Sequence, residues 1–258
     1  MIKRAGFLYA ELGLVTGKVD IVAETTARLG SPVHLLPFVK GRGWGLKYLV
    51  LPVGASGPTH LVKAASRVIE RRVARDPASS YQPYYARFAR EAEILGALAA
   101  VGLGPEILLL ETGFFVREYV PGRCISELGS AELTLWLPRA LEALEKICEA
   151  GIFHTDPSAE NLVCNPERGR LAFIDSEVMV AGPALGALTA ERRLFCHERL
   201  LATLARSRSA GPETGRSLGW ELLEAVRQFY SRRGSPCLSP EHAVALLEGR
   251  TVQTRGPS

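Results

Sequence analysis

Ile152-Phe-His154-Thr-Asp156-Pro-Ser158-Ala-Glu160-Asn161-Leu-Val163, followed by Leu171-Ala-Phe-Ile174-Asp175-Ser176-Glu177, is the stretch on which the reading of this chain turns. Asp156 and Asn161 stand five positions apart, and Asp175 ends an apolar run fourteen positions after Asn161. Taken singly, an aspartate or asparagine in a loop is most often a turn former or a helix cap. Asp175 says more, because a strand end gains nothing in packing from a carboxylate. Together the three supply one base for a hydroxyl proton and two hard oxygen ligands for a divalent cation, which is what phosphoryl transfer uses. His154 has no obvious proton to move and reads as a packed ring that hydrogen-bonds backbone.

Such chemistry needs groups that grip phosphate, and the upstream sequence offers them. Val33 to Val39 reads as a strand, Gly41-Arg-Gly43-Trp-Gly45 as a tight turn, and Leu46 to Val53 as the returning strand. Gly41, Gly43 and Gly45 would let backbone approach phosphate oxygens without a Cβ in the way. His60-Leu-Val-Lys63-Ala-Ala65 follows a second turn and is an apolar strand broken by one lysine. Only six of the 31 Lys and Arg residues are lysines, so Lys63 stands out as a compact cation on a flexible stem, suited to a pair of phosphate oxygens.

A lysine that binds phosphate should be held by a carboxylate on a helix packed beside it. In the helical pattern of Tyr84, Phe88, Ala92, Leu95 and Leu98, Glu91 falls three residues after Phe88 and four before Leu95, on the inward stripe. Glu93 points elsewhere, and Glu70 lies too close to Lys63 in sequence to belong to that helix. Pairing of Glu91 to Arg87 or Arg90 on its own helix is the plainer alternative. Beyond the break at Gly102-Leu-Gly-Pro105, Ile107 to Leu110 and Phe114 to Val120 read as strands, the second ending at Pro121-Gly122. Pro138 to Ala150 reads as a helix with proline in its first turn and Gly151 as its stop.

The loop His154 to Asn161 matches H-x-D-x-x-x-x-N at all three fixed positions, and on these motifs the chain resembles the protein-kinase-like superfamily over residues 33 to 205. The run Glu91-Ala-Glu-Ile-Leu95 is similar to the E-x-x-I-L signature of the helix that holds the nucleotide lysine in that superfamily. The resemblance implies an α+β, bilobal fold: an N-lobe antiparallel sheet plus one helix, then a mainly helical C-lobe. It implies an N-lobe over 31–118 and a C-lobe over 119–250; outside them, residues 1–30 read as a short N-terminal extension with a helix from Val22 to Leu29, and 251–258 as a disordered tail. It further implies ATP as phosphoryl donor with Mg²⁺ or Mn²⁺. Lys63, fixed by Glu91, would hold the α- and β-phosphates under the glycine turn. Glu118, Tyr119 and Val120 would form the hinge whose backbone reads adenine. Asn161 and Asp175 would carry the metal, and Asp156 would orient the acceptor hydroxyl.

The departures narrow the resemblance. Conventional serine/threonine protein kinases have lysine two residues after the catalytic aspartate, where this chain has Ser158, and D-F-G where it has Asp175-Ser176-Glu177; no A-P-E segment follows. The D-x-S-x-x-N loop is similar to atypical RIO-type kinases, the D-x-E ending to aminoglycoside phosphotransferases, and the Arg/Leu-rich helix from Glu191 to Ala205 to lipopolysaccharide kinases. The expected activity is therefore that of an atypical serine/threonine protein kinase. The alternatives are a small-molecule kinase using Glu177 in its acceptor pocket, a RIO-like ATPase of ribosome biogenesis, and a non-catalytic nucleotide-binding scaffold. The acceptor is a protein or a small-molecule hydroxyl.

Composition agrees with a globular enzyme. At 258 residues and 47% hydrophobic content the chain can bury a sizeable core. No run reaches the ~18 apolar residues of a membrane span, and Glu11 interrupts the apolar N-terminus, so a cytoplasmic protein is expected. Five cysteines, none in a C-x-x-C pair, give neither a zinc cluster nor a disulfide framework and read as free buried thiols. The net charge of +4 is mild. Clusters at Arg71, Arg72 and Arg75, at Arg192 and Arg193, and at Arg206 and Arg208 could meet nucleic acid or a ribosome, and solvated helix faces explain them equally well. No aromatic platform accompanies them. Three later helices are expected over 190–205, 217–230 and 240–248, the last capped by Ser239 and stopped by Gly249.

Overall fold

Alternating and continuous apolar runs become strands where neighbours on both sides can satisfy their backbone, and the N-terminal half does this in one sheet. The strands are β1 (Val33–Pro37), β2 (Leu46–Pro52), β3 (His60–Ala64), β4 (Ile107–Leu110) and β5 (Phe114–Glu118), all antiparallel, in the order β1-β2-β3-β5-β4. The computed structural model describes residues 20–38, 46–65, 84–111, 113–176, 179–181, 188–209, 219–233 and 238–250. The chain divides into two compact units, one of residues 1–96 with 105–120 and one of residues 97–104 with 121–258.

In the first unit β3 is the central strand, which is why its sequence is apolar on both faces. Val62 and Ala64 point to one face and pack with Tyr48, Val50, Phe114 and Val116. That face is completed by helix α1 (Ile21–Leu29), whose Ile21 is buried in the same cluster. Asp20 caps α1 by accepting from the Val22 and Ala23 amides at 3.0 and 3.1 Å, Gly30 closes it in the left-handed region at φ 69°, and Arg28 donates to the Leu108 carbonyl at 3.0 Å. Part of the N-terminal segment is therefore tied into the sheet. On β3 the alternate position is Lys63, whose cross-strand partner on β5 is Phe115. Helix α2 (Tyr84–Ala100) brings Phe88 edge-on to Phe115 at 5.4 Å.

The second unit is mainly helical. Its helices are α3 (Ser130–Glu149), α4 (Ala190–Ser209), α5 (Trp220–Arg233) and α6 (Pro240–Leu247). Short strands accompany them: β6 (Arg123–Cys124), β8 (Leu162–Asn165) and β9 (Arg170–Phe173) form one sheet, and β7 (Ile152–His154) pairs with β10 (Met179–Ala181). Leu133, Leu137, Leu141, Leu144 and Ile147 of α3 are fully buried, each removal from water stabilising by roughly 1.5–3 kcal/mol. Gly122 lies in the left-handed region at φ 143°, and a Cβ there would meet the Cys164 carbonyl oxygen at 2.2 Å, so only glycine lets the chain pass β8 this closely.

The expectation that the α3 helix begins at Pro138 is corrected. It begins at Ser130, with Pro138 inside it. The Glu132 carboxylate accepts from the Gly129 amide at 3.2 Å to start the helix, and burial of Leu133, Trp136 and Leu137 offsets the backbone hydrogen bond that proline forfeits. At α6 the Ser239 hydroxyl accepts from the His242 amide at 3.2 Å, and Gly249 follows at φ 70°. Cys124, Cys148, Cys164 and Cys196 are buried free thiols, and Cys237 lies outside the described residues. Among the described residues no helix is long and apolar enough to cross a membrane. The architecture is α+β, an N-terminal antiparallel sheet with a helix after its central strand and a mainly helical C-terminal part.

Candidate active site

In the first unit the residue that breaks the apolar run of β3 finds its partner on α2. Lys63 Nζ donates to both Glu91 carboxylate oxygens, at 3.0 Å to Oε1 and 2.8 Å to Oε2, with the two side chains 4% and 5% exposed. Helical spacing puts Glu91 on the stripe of Phe88 and Leu95, both buried, while Glu93 is exposed. Taking both charges out of water is costly, so the two-oxygen contact is needed to hold them there. A fixed ammonium beside a carboxylate can present its positive charge to a phosphate without reorganising.

The strand carrying Glu118 leads to the candidate hinge. The Glu118 amide donates to the Glu106 carbonyl at 2.8 Å, the Tyr119 amide to the Thr59 carbonyl at 2.9 Å, and Arg117 Nη1 to the Glu118 carbonyl at 3.0 Å. Backbone groups at Glu118 and Tyr119 are thus already used within the unit. Val120 is buried, and no backbone partner for it appears among the described residues. Gly41, Gly43 and Gly45 lie outside the described residues, as do Glu70 and Glu177.

In the second unit β7 ends at His154 and the loop to β8 is closed by its own backbone. The Ser158 amide donates to the Asp156 carbonyl at 2.7 Å, and the Asn161 amide to the Ser158 carbonyl at 3.0 Å. His154 is fully buried, edge-on to the Phe173 ring at 5.6 Å, and its Nδ1 accepts from the Asp156 amide at 3.2 Å. Burial pushes its pKa down to about 4, against the smaller opposing influence of Asp156 and Asp175. The ring is therefore neutral with its proton on Nε2, and it acts on the loop as a strut.

Asn161 Nδ2 donates to the Asp156 carbonyl at 3.4 Å, which turns Oδ1 the other way. The Ile174 amide donates to the Asn161 carbonyl at 3.0 Å and so ties the residue before Asp175 to Asn161. Asp156, Asn161 and Asp175 are each partly exposed. Among the described residues no group of three or more His, Cys, Asp or Glu could hold a metal by itself. An amide oxygen with a single carboxylate instead fits a Mg²⁺ that takes its remaining ligands from water and phosphate.

Several contributors were not singled out in the sequence, and most sit on α4. Cys196 Sγ donates to the His154 carbonyl at 3.5 Å, and Thr203 Oγ1 accepts from the Ala159 amide at 3.1 Å. Between them Arg199 Nε donates to Asp156 Oδ1 at 3.2 Å, with Nη2 also 3.2 Å from that oxygen. Positions 196, 199 and 203 share one helical face. Polar residues recurring along an otherwise leucine-rich helix were the available signal. Behind this face, buried Glu145 of α3 takes Arg193 Nη1 on Oε2 at 3.1 Å and has His197 Nε2 at 2.9 Å from Oε1, off the hydrogen-bonding direction. His197 Nδ1 lies 2.7 Å from the Tyr230 hydroxyl.

No protein-family model matches the sequence, and no curated protein matches it. Among solved structures the chain is similar to the PknI kinase domain of Mycobacterium tuberculosis, at 16% identity and a TM-score of 0.45 over 85% of this chain and 96% of that one. It is likewise similar to a single-substitution variant of that domain, at 16% identity and a TM-score of 0.47 over 84% of this chain and 94% of that one.

Proposed function

We propose that this chain transfers the γ-phosphoryl group of ATP to a hydroxyl, as an atypical serine/threonine protein kinase. The observation that carries the reading is the Lys63–Glu91 pair: a lysine in the central strand, 28 residues from its carboxylate, buried and gripped by both oxygens. Nothing in packing asks for two charges there, whereas phosphate binding asks for a lysine held in a fixed place. Lys63 binds the α- and β-phosphates, and the backbone of Val120 reads adenine beside Glu118 and Tyr119. The sequence Gly41-Arg-Gly43-Trp-Gly45, outside the described residues, carries the backbone freedom that a close approach to phosphate oxygens requires.

Asn161, through Oδ1, and Asp175 would hold Mg²⁺ or Mn²⁺, which would supply neutralisation of phosphate charge. Asp156 accepts the proton of the acceptor hydroxyl as its oxygen attacks the γ-phosphorus and the bond to the β,γ-bridging oxygen breaks. Ser158 and Asp175-Ser176-Glu177 stand where conventional protein kinases carry lysine and D-F-G, which supports the atypical branch.

The test is incubation with γ-labelled ATP and Mg²⁺ or Mn²⁺, offering protein and metabolite pools separately, with Asp156→Asn and Asp175→Ala alongside. Label should enter protein in a metal-dependent way, and both variants should lose it. Label found only in a small molecule moves the assignment to a metabolite kinase. Equal labelling by Asp156→Asn refutes the mechanism.

A further inference from the structure

Resting on that reading, the geometry points to Arg199 of α4 as a positioning residue for Asp156, supplying from 43 residues downstream the cation that the catalytic loop lacks at Ser158. Two guanidinium nitrogens, Nε and Nη2, converge on a single carboxylate oxygen, Oδ1, each at 3.2 Å. This contact, a hydrogen bond from Nε with the charge of Nη2 beside it, restrains the rotation of the carboxylate. It leaves Oδ2 without a partner among the described residues, as a base must be to accept a proton. A lysine ammonium, a point charge on a flexible stem, would hold that oxygen less firmly than the planar guanidinium.

The arrangement is anchored on both sides. One turn earlier Cys196 donates to the His154 carbonyl, and one turn later Thr203 accepts from the Ala159 amide. Residues 154 to 159 are thereby bound to the same helical face that carries Arg199, so the loop and the guanidinium keep register. Asp156 and Arg199 are 43% and 42% exposed, open enough for an acceptor to reach Oδ2. Ser158 cannot substitute, because it carries no charge.

A four-protein comparison of full-length chains tests this: wild type, Arg199→Ala, Asp156→Asn and the double variant, each assayed for label transfer from ATP. Arg199→Ala should lower kcat by ~10- to 100-fold with KM for ATP nearly unchanged, the scale of a misaligned catalytic group. The double variant should turn over no more slowly than Asp156→Asn, because an arginine acting through Asp156 has nothing left to position. Methylguanidine should restore part of the Arg199→Ala rate, and Arg199→Lys should recover less than wild type. Wild-type kcat in Arg199→Ala, a double variant slowed by the product of the two single losses, or a defect that methylguanidine leaves untouched would each overturn the proposal. Wild-type turnover in Asp156→Asn would instead sink the functional reading on which it stands. A thermal midpoint for Arg199→Ala close to wild type separates loss of positioning from loss of fold, and Arg199→Met serves as the second variant.

Discussion

Two ion pairs in this molecule use the same chemistry in opposite surroundings. Lys63 and Glu91 are 4% and 5% exposed, whereas Asp156 and Arg199 are 43% and 42% exposed. Low dielectric around the first makes each charge dependent on the other, so the pair behaves as one rigid object. Water around the second screens the attraction and leaves both groups open to further partners. Burial suits a group that must present a constant charge, and partial exposure suits one that must exchange a proton. The contrast predicts that stability and activity separate between the two sites.

The largest expected effect breaks the buried pair. Lys63→Ala should lose ~3–5 kcal/mol of unfolding free energy, the usual consequence of stranding a buried carboxylate. The double change Lys63→Met with Glu91→Leu should recover most of that loss in denaturant titrations while remaining inactive. If Lys63→Ala is as stable as wild type, the pair is not buried in solution.

Next in size, Asp156→Asn should cut turnover by ~10²-fold or more while shifting the denaturation midpoint little, because the group it alters is hydrated. A large loss of stability in that variant would erase the contrast.

His154 sharpens the comparison through pH. Its folded pKa is lowered to about 4 from an ordinary 6.5. As pH falls below about 6.5 the unfolded chain takes up the proton first, so this stabilisation is present above that value and is lost towards pH 4. Between pH 7 and pH 5 the loss should be about 2 kcal/mol. His154→Gln, which keeps an acceptor for the Asp156 amide, should not show that loss, as urea titrations at the two pH values would reveal. The smallest effect is expected at the exposed pair: Arg199→Ala should change stability by less than ~1 kcal/mol, and by less still in high salt.

These contrasts were unevenly legible in the sequence. Lys63 was visible because a lone cation in an apolar strand contradicts its surroundings, and Glu91 because helical spacing assigns it to an inward face. Asp156, Asn161 and Asp175 were singled out by their spacing and, for Asp175, by a carboxylate at the end of an apolar run. The strands around Lys63 followed from their apolar runs, whereas Pro138 misled about α3, since a helix buried this deeply tolerates an internal proline that an exposed one would not. The packing of Ile21 beneath the sheet was hidden because a nine-residue helix does not name its partner. Arg199 was hidden for a similar reason: a helix with several arginines does not reveal which one faces a loop 43 residues away.

The most direct test of the account is a calorimetric titration of the full chain with ATP, with and without Mg²⁺, for wild type and Asp175→Asn. One saturable site that tightens with Mg²⁺ in wild type and loses that metal dependence in Asp175→Asn is the predicted result. Absence of ATP binding by wild type, or the same metal dependence in both proteins, would contradict it.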